Sequence, residues 1–114
     1  MTVLIVDDHP SFRATARTLL ELEGYRVVGE AVDGASAVEQ AHRLQPELVL
    51  LDVQLPDTDG FAVAERLLGD EHAPAVILTS SRDAADFGPL VAQSGARGFV
   101  PKSELSGAAL AALL

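Results

Sequence analysis

The chain has 114 residues, with 17 acidic side chains against 8 basic ones and a net charge of −9, so it is long enough for one compact core and should repel a nucleic-acid backbone rather than grip it. Apolar residues make up 48%, yet no run approaches a membrane span, and no basic stretch and cleavage site mark a secretory leader; a cytoplasmic protein without membrane contact is expected. With no cysteine, disulfides and thiolate metal sites are excluded, leaving oxygen and imidazole as ligands for any metal.

In chain order, five short runs rich in Val, Ile and Leu read as strands: Val3 to Val6, Arg26 to Ala31, Leu48 to Leu51, Ala75 to Leu78 and Gly98 to Val100. The first, third and fourth are nearly unbroken apolar stretches, as strands covered on both faces of a parallel sheet require. Between and after them the spacing predicts helices over Ser11 to Glu23, Gly34 to Leu44, Asp59 to Leu68, Ala84 to Ser94 and Glu104 to Leu114. In the first, Ala16, Leu19, Leu20 and Glu23 follow the i, i+3, i+4, i+7 rows, and Gly24 supplies a stop. In the fourth, Pro89 lacks a donor and disfavours the helical conformation at Gly88, so a break or a late start is expected there. The last ends in ALAALL, apolar on more than one side, which calls for a covering partner. No internal repeat or linker divides the chain, so residues 1–114 are expected to form a single domain.

Strict β/α alternation implies a doubly wound parallel sheet with right-handed crossovers, and five strands favour the flavodoxin-like (βα)5 order 2-1-3-4-5 over the Rossmann-like one. Strands 1 and 3 then adjoin where the winding reverses, and ligand chemistry belongs above their C-terminal ends. Pro101 suits the end of an edge strand. The residues at the strand ends are Asp7 and Asp8, then Asp52, then Thr79 and Ser80, then Lys102. Three carboxylates in one place need a cation or raised pKa values. Magnesium answers that need through carboxylate oxygens, and a carboxylate can itself be a nucleophile forming an aspartyl phosphate. A lysine and a hydroxyl would hold phosphate oxygens.

Through LIVDDHP, LVLLDVQLPDTDG, VILTSS and GARGFVPKS, in order and over essentially its whole length, the chain resembles the receiver domains of two-component response regulators. The resemblance implies Asp52 as phosphoacceptor. It implies Mg2+ bound by Asp7, Asp8, Asp52 and the backbone carbonyl of Gln54, with Thr79 and Lys102 contacting the phosphoryl group. Phe99 takes the place of a switch aromatic coupled to Thr79, and Gln54 and Ser81 flank the acyl phosphate. The run DDHPSFR is similar to the NarL or LuxR subgroup, which implies a sensor histidine kinase as donor, pairing of receivers on phosphorylation, and DNA contact only through an output domain that this segment does not contain. At most slow self-phosphorylation from small donors and self-dephosphorylation are expected, not enzymatic turnover. One departure is Ser103 after Lys102, where such receivers usually place a cis proline; a cis bond without proline costs about 3 kcal/mol, leaving that peptide's isomer open.

Taken singly, these residues also have plainer readings. Asp7 could cap a helix, Thr79 and Ser80 could cap the next one, Lys102 could be a solvated charge, and Phe99 could be core; only their shared position at the strand ends points to function. His9, followed by Pro10 and with no imidazole partner in range by sequence, reads as a loop residue; His42 and His72 read as surface. Competing functions on the same sheet are a flavin binder, which would want a Ser/Thr/Gly-rich phosphate nest where DDHP stands, and a Mg2+-dependent phosphatase working through an aspartyl phosphate, which would want a DxD after the first strand. A receiver-like module that is never phosphorylated is a further alternative, disfavoured by the complete acidic and basic set.

Overall fold

The computed structural model describes residues 1–114. Five parallel strands, β1 Thr2–Val6, β2 Arg26–Ala31, β3 Leu48–Asp52, β4 Ala75–Ser80 and β5 Gly98–Pro101, form one sheet in the order 2-1-3-4-5. Its helices are α1 Pro10–Leu22, α2 Gly34–Leu44, α3 Gly60–Leu68, α4 Leu90–Gln93 and α5 Gly107–Ala111. The unbroken apolar strands are the three central ones: Val3–Val6, Leu48–Leu51 and Val76–Leu78 are wholly buried. Their side chains alternate between two cores. Val3, Ile5, Leu48, Leu50 and Ile77 join Ala16 and Leu20 of α1 and Leu110 of α5, whereas Leu4, Val6, Val49, Leu51, Val76 and Leu78 join Ala37 and Ala41 of α2 and Val63, Ala64 and Leu67 of α3. Burying both faces is what the absence of polar alternation requires.

Caps set the helix limits. Gly24, at φ +93°, ends α1 as a left-handed glycine can without steric cost. The Asp33 carboxylate accepts from Ser36 N at 2.8 Å to open α2, and Asp59 accepts from Ala62 N at 2.8 Å to open α3.

The fourth helix shows the expected break, and the fifth differs from expectation. The fourth is divided where the Gly88-Pro89 pair predicts a break: a 3-10 turn over Ala84–Phe87 stops at Gly88, at φ +57°, and α4 proper is only four residues long. The fifth begins later than Glu104. A 3-10 turn over Lys102–Glu104 is followed by extended Leu105, and the Ser106 hydroxyl accepts from Ala109 N at 3.0 Å to start α5. As expected it carries apolar residues on more than one side: Leu110 is buried and Leu113 packs over Gly98, while Ala108, Ala111, Ala112 and Leu114 are exposed. All peptide bonds are trans, Lys102-Ser103 included.

Register brings the site together. Val6 lies opposite Leu51, and Asp52 opposite Thr79, so the residue after β1 and the last residue of β3 emerge side by side.

Candidate functional site

Asp7, Asp52 and Lys102 meet over the C-terminal ends of β1 and β3. Lys102 Nζ lies 2.6 Å from Asp7 Oδ2 and 3.2 Å from Asp52 Oδ2. Asp7 is fully buried and Asp52 is 3% exposed. The other Asp52 oxygen accepts from Gln54 N at 3.1 Å. Asp8 is partly exposed at the rim. Phe12 of α1 lies beneath the ammonium, its ring centroid 4.5 Å from Lys102 Nζ, adding an attraction that holds the amine over the pocket.

The two buried carboxylates are shifted in opposite directions. Burial pushes Asp52 up to about 6, resisted by the Gln54 N–H and reinforced by the negative charge of Asp7. Burial also raises Asp7, but there it is outweighed by Lys102 and by the backbone N–H and ring of His9, which bring Asp7 below the ordinary carboxylate range. For Lys102, burial works against the charge and the two carboxylates prevail, so it is raised. The site therefore keeps an ion pair on Asp7 and leaves Asp52 as the carboxylate whose charge is incompletely compensated.

Thr79 is brought to the same end of the sheet, but its buried hydroxyl donates to the Val100 carbonyl at 2.7 Å across β4 and β5 and faces that strand rather than the carboxylates. Phe99 is half-buried and packs with its ring centroid 5.7 Å from Phe87, which in turn meets Phe61 edge-on at 5.7 Å. Ser80 is buried and accepts from Arg82 N at 3.1 Å.

Sequence reasoning missed several supports. His9 does have partners: its Nδ1 lies 2.9 Å from Asp7 Oδ1 and 3.1 Å from Asp8 Oδ1, because the turn into α1 folds the DDH triplet upon itself. Arg13, one helical turn on, donates to the Asp7 carbonyl at 2.6 Å and to Glu30 at 3.1 Å. Asp57 accepts from Gly34 N and Ala35 N at 2.8 and 3.0 Å, tying the loop after β3 to the start of α2. Gly60 lies so close to the end of β3 that a Cβ there would strike the Asp52 carbonyl oxygen and come within 2.8 Å of Val53 Cα. Only His9 had a signal in the sequence, its adjacency to the acidic pair.

The donor set fits a hard cation. Asp7, Asp8, His9 and Asp52 each offer a ligand atom, all within 4.8 Å of one another. Buried Asp7 Oδ2 has no hydrogen-bond partner. Lys102 neutralises it at 2.6 Å without the alignment of a hydrogen bond, so a lone pair remains to be satisfied.

A doubly wound five-stranded sheet, with acids over its two central strand ends and an ammonium reaching in from the edge strand, has the layout of a signalling receiver. The chain belongs to the response regulator receiver domain family, whose sequence pattern matches residues 3–113. It is 35% identical over 104 residues to the DNA-binding transcriptional activator EvgA of Escherichia coli, a match covering 91% of this chain and 51% of EvgA. The signal receiver domain of NarL from Mycobacterium tuberculosis superposes with a TM-score of 0.87 at 37% identity, over 98% of this chain and 94% of that one. The BeF3-activated receiver domain of RstA from Klebsiella pneumoniae gives 0.86 at 29% identity, over 99% and 95%. The chain thus spans about half the length of the curated relatives it matches. No helix is long and apolar enough to cross a membrane.

Proposed function

We propose that the chain is a phosphorylation-controlled switch in which Asp52 accepts a phosphoryl group from a phosphohistidine of a sensor histidine kinase. The single observation that carries this reading is the convergence on one buried carboxylate, Asp52, of a lysine at 3.2 Å and a second buried acid. An Asp52 carboxylate oxygen forms the new bond to phosphorus as the donor's N–P bond breaks, and the bonding pair leaves with the donor nitrogen. Asp52 is mostly ionised above its value of about 6, so it is a competent nucleophile at neutral pH. Gln54 N–H fixes the rotation of that carboxylate. Lys102 offers a compact charge to the incoming oxygens.

Asp7, Asp8 and Asp52, with the backbone carbonyl of Gln54, would hold Mg2+, and the orphaned Asp7 oxygen supports this. When bound, the ion supplies the positive charge that lets a phosphoryl dianion approach three carboxylates. For Thr79 to hold a phosphoryl oxygen, its hydroxyl must leave the Val100 carbonyl, and this exchange is the switch: β4 and β5 lose a tie, and Phe99 is free to change rotamer between Phe87 and the vacated space. Gln54 and Ser81 would flank the acyl phosphate and set its rate of hydrolysis. Residues 1–114 would act as one cytoplasmic domain, with output through a DNA-binding domain elsewhere in the full-length protein, as the name and length of EvgA suggest. Pairing of two receivers would follow phosphorylation. Any catalysis would be limited to slow self-phosphorylation and self-dephosphorylation.

Incubation with acetyl phosphate and Mg2+ should add one phosphoryl group by intact mass, and Asp52→Ala should abolish it. Persistence of the adduct in that variant would move the acceptor elsewhere.

A further inference from the structure

We infer that His9 makes this pocket a mixed nitrogen and oxygen site that takes a borderline first-row ion, Zn2+ or Co2+, with His9 Nδ1 as a ligand beside Asp7, Asp8 and Asp52. The inference rests on the pocket being a cation site, and adds a donor that the magnesium reading does not use.

Four observations carry it. His9 Nδ1 is aimed inward at both acids, 2.9 Å from Asp7 Oδ1 and 3.1 Å from Asp8 Oδ1. The turn that presents the ring is held by the backbone, since His9 N–H also donates to Asp7 Oδ1 at 2.7 Å. The four donor atoms lie within 4.8 Å of one another, against about 3.3 Å between neighbouring ligands of a tetrahedral zinc, so a contraction of up to about 1.5 Å at the widest spacing is needed. Asp8 and His9, at 36% and 63% side-chain exposure, are free to supply it. In addition, fully buried Asp7 presents Oδ2 with no hydrogen-bond partner, its charge met by Lys102 Nζ at 2.6 Å.

The chemistry separates two ion classes. Magnesium favours oxygen and keeps its waters, so an imidazole adds little to it. Zn2+ and Co2+ accept imidazole nitrogen readily, and a carboxylate-rich site gains selectivity for them from one such donor. Opposite a carboxylate, Nδ1 carries a proton; coordination needs the Nδ1 lone pair, so that proton must leave Nδ1 when the ion binds. The three histidines are then unequal: His42 and His72 sit on the exposed surface outside this cluster.

The test compares Zn2+ and Mg2+ titrations of wild type and His9→Ala by calorimetry, with Co2+ as a paramagnetic probe in NMR spectra. Expected is a loss of Zn2+ affinity of about tenfold or more in the variant, with Mg2+ affinity within about threefold of wild type, and ring-proton shifts from Co2+ at His9 but not at His42 or His72. Unchanged Zn2+ affinity in His9→Ala, an equal loss of both ions, or an unshifted His9 ring would each overturn the inference while leaving the magnesium pocket standing. Wild type binding neither ion would overturn both.

Discussion

Replacing Asp52 with asparagine should stabilise the metal-free protein at neutral pH. An unfolded aspartate has the model value 3.8, and the fold raises Asp52 to about 6, so between those values the folded state binds the proton that the unfolded state has released. Stability attributable to this group therefore falls as pH rises through that window, and the whole penalty is present above about 6. A gap of 6 − 3.8 = 2.2 units corresponds to about 3 kcal/mol at 1.36 kcal/mol per unit, reduced to about 2 to 3 where solvent enters beside Asp8. Asparagine keeps the oxygen that accepts from Gln54 N and removes the charge, and Lys102 retains Asp7. Urea denaturation in a chelator should show Asp52→Asn more stable than wild type by about 2 kcal/mol at pH 7.5, a rise in Tm of about 8 °C, shrinking towards nothing near pH 4. Added Mg2+ should narrow the gap at pH 7.5 by stabilising wild type. A variant equal to or weaker than wild type at pH 7.5 in chelator would refute the reasoning, because the lost attraction to Lys102 would then exceed the desolvation and repulsion removed.

Gly60→Ala should cost about 2 kcal/mol or more and slow phosphorylation by acetyl phosphate, since its Cβ meets the Asp52 backbone rather than a movable side chain; a Tm within a degree of wild type would contradict the close approach. Asp57, held below the ordinary carboxylate range by the N–H groups of Gly34 and Ala35, contributes stability above 3.8 that is lost as pH falls through its lowered value. Asp57→Ala should accordingly speed amide exchange at Gly34 and Ala35 at neutral pH, and unchanged rates there would show that Asp33 alone caps α2. Amides of Ala84 to Gln93, with no buried residue in either short helix, should exchange on the order of a hundredfold faster than those of α1, and change on phosphorylation; protection equal to that of α1 would count against a soft fourth element.

Much of this was legible in the sequence for a simple reason: Val3–Val6, Leu48–Leu51 and Val76–Leu78 carry no polar alternation, so they must be covered on both faces, and the topology that covers them fixes which strand ends converge. Asp7, Asp52, Thr79 and Lys102 follow from that alone. What a linear reading loses is set by local turns and by contacts across the chain. His9 meets Asp7 and Asp8 only because of the turn into α1, and Phe12 lies under Lys102 across 90 positions of sequence. The need for glycine at position 60 arises from the backbone of Asp52 and Val53. The direction of the Thr79 hydroxyl depends on Val100 in the neighbouring strand, which a strand-end argument cannot see. The short α5 was readable in part, since Ser106 is a good cap, but the apolar run around it masked the start.

The ammonium that balances the two buried acids follows immediately on β5, one of the two edge strands, which is laddered to β4 alone. The pocket's electrical balance is therefore entrusted to a border of the sheet. A shift of this border by an ångström would alter the ammonium's distance from both acids at once, so the placing of the periphery sets the electrostatic potential at Asp52.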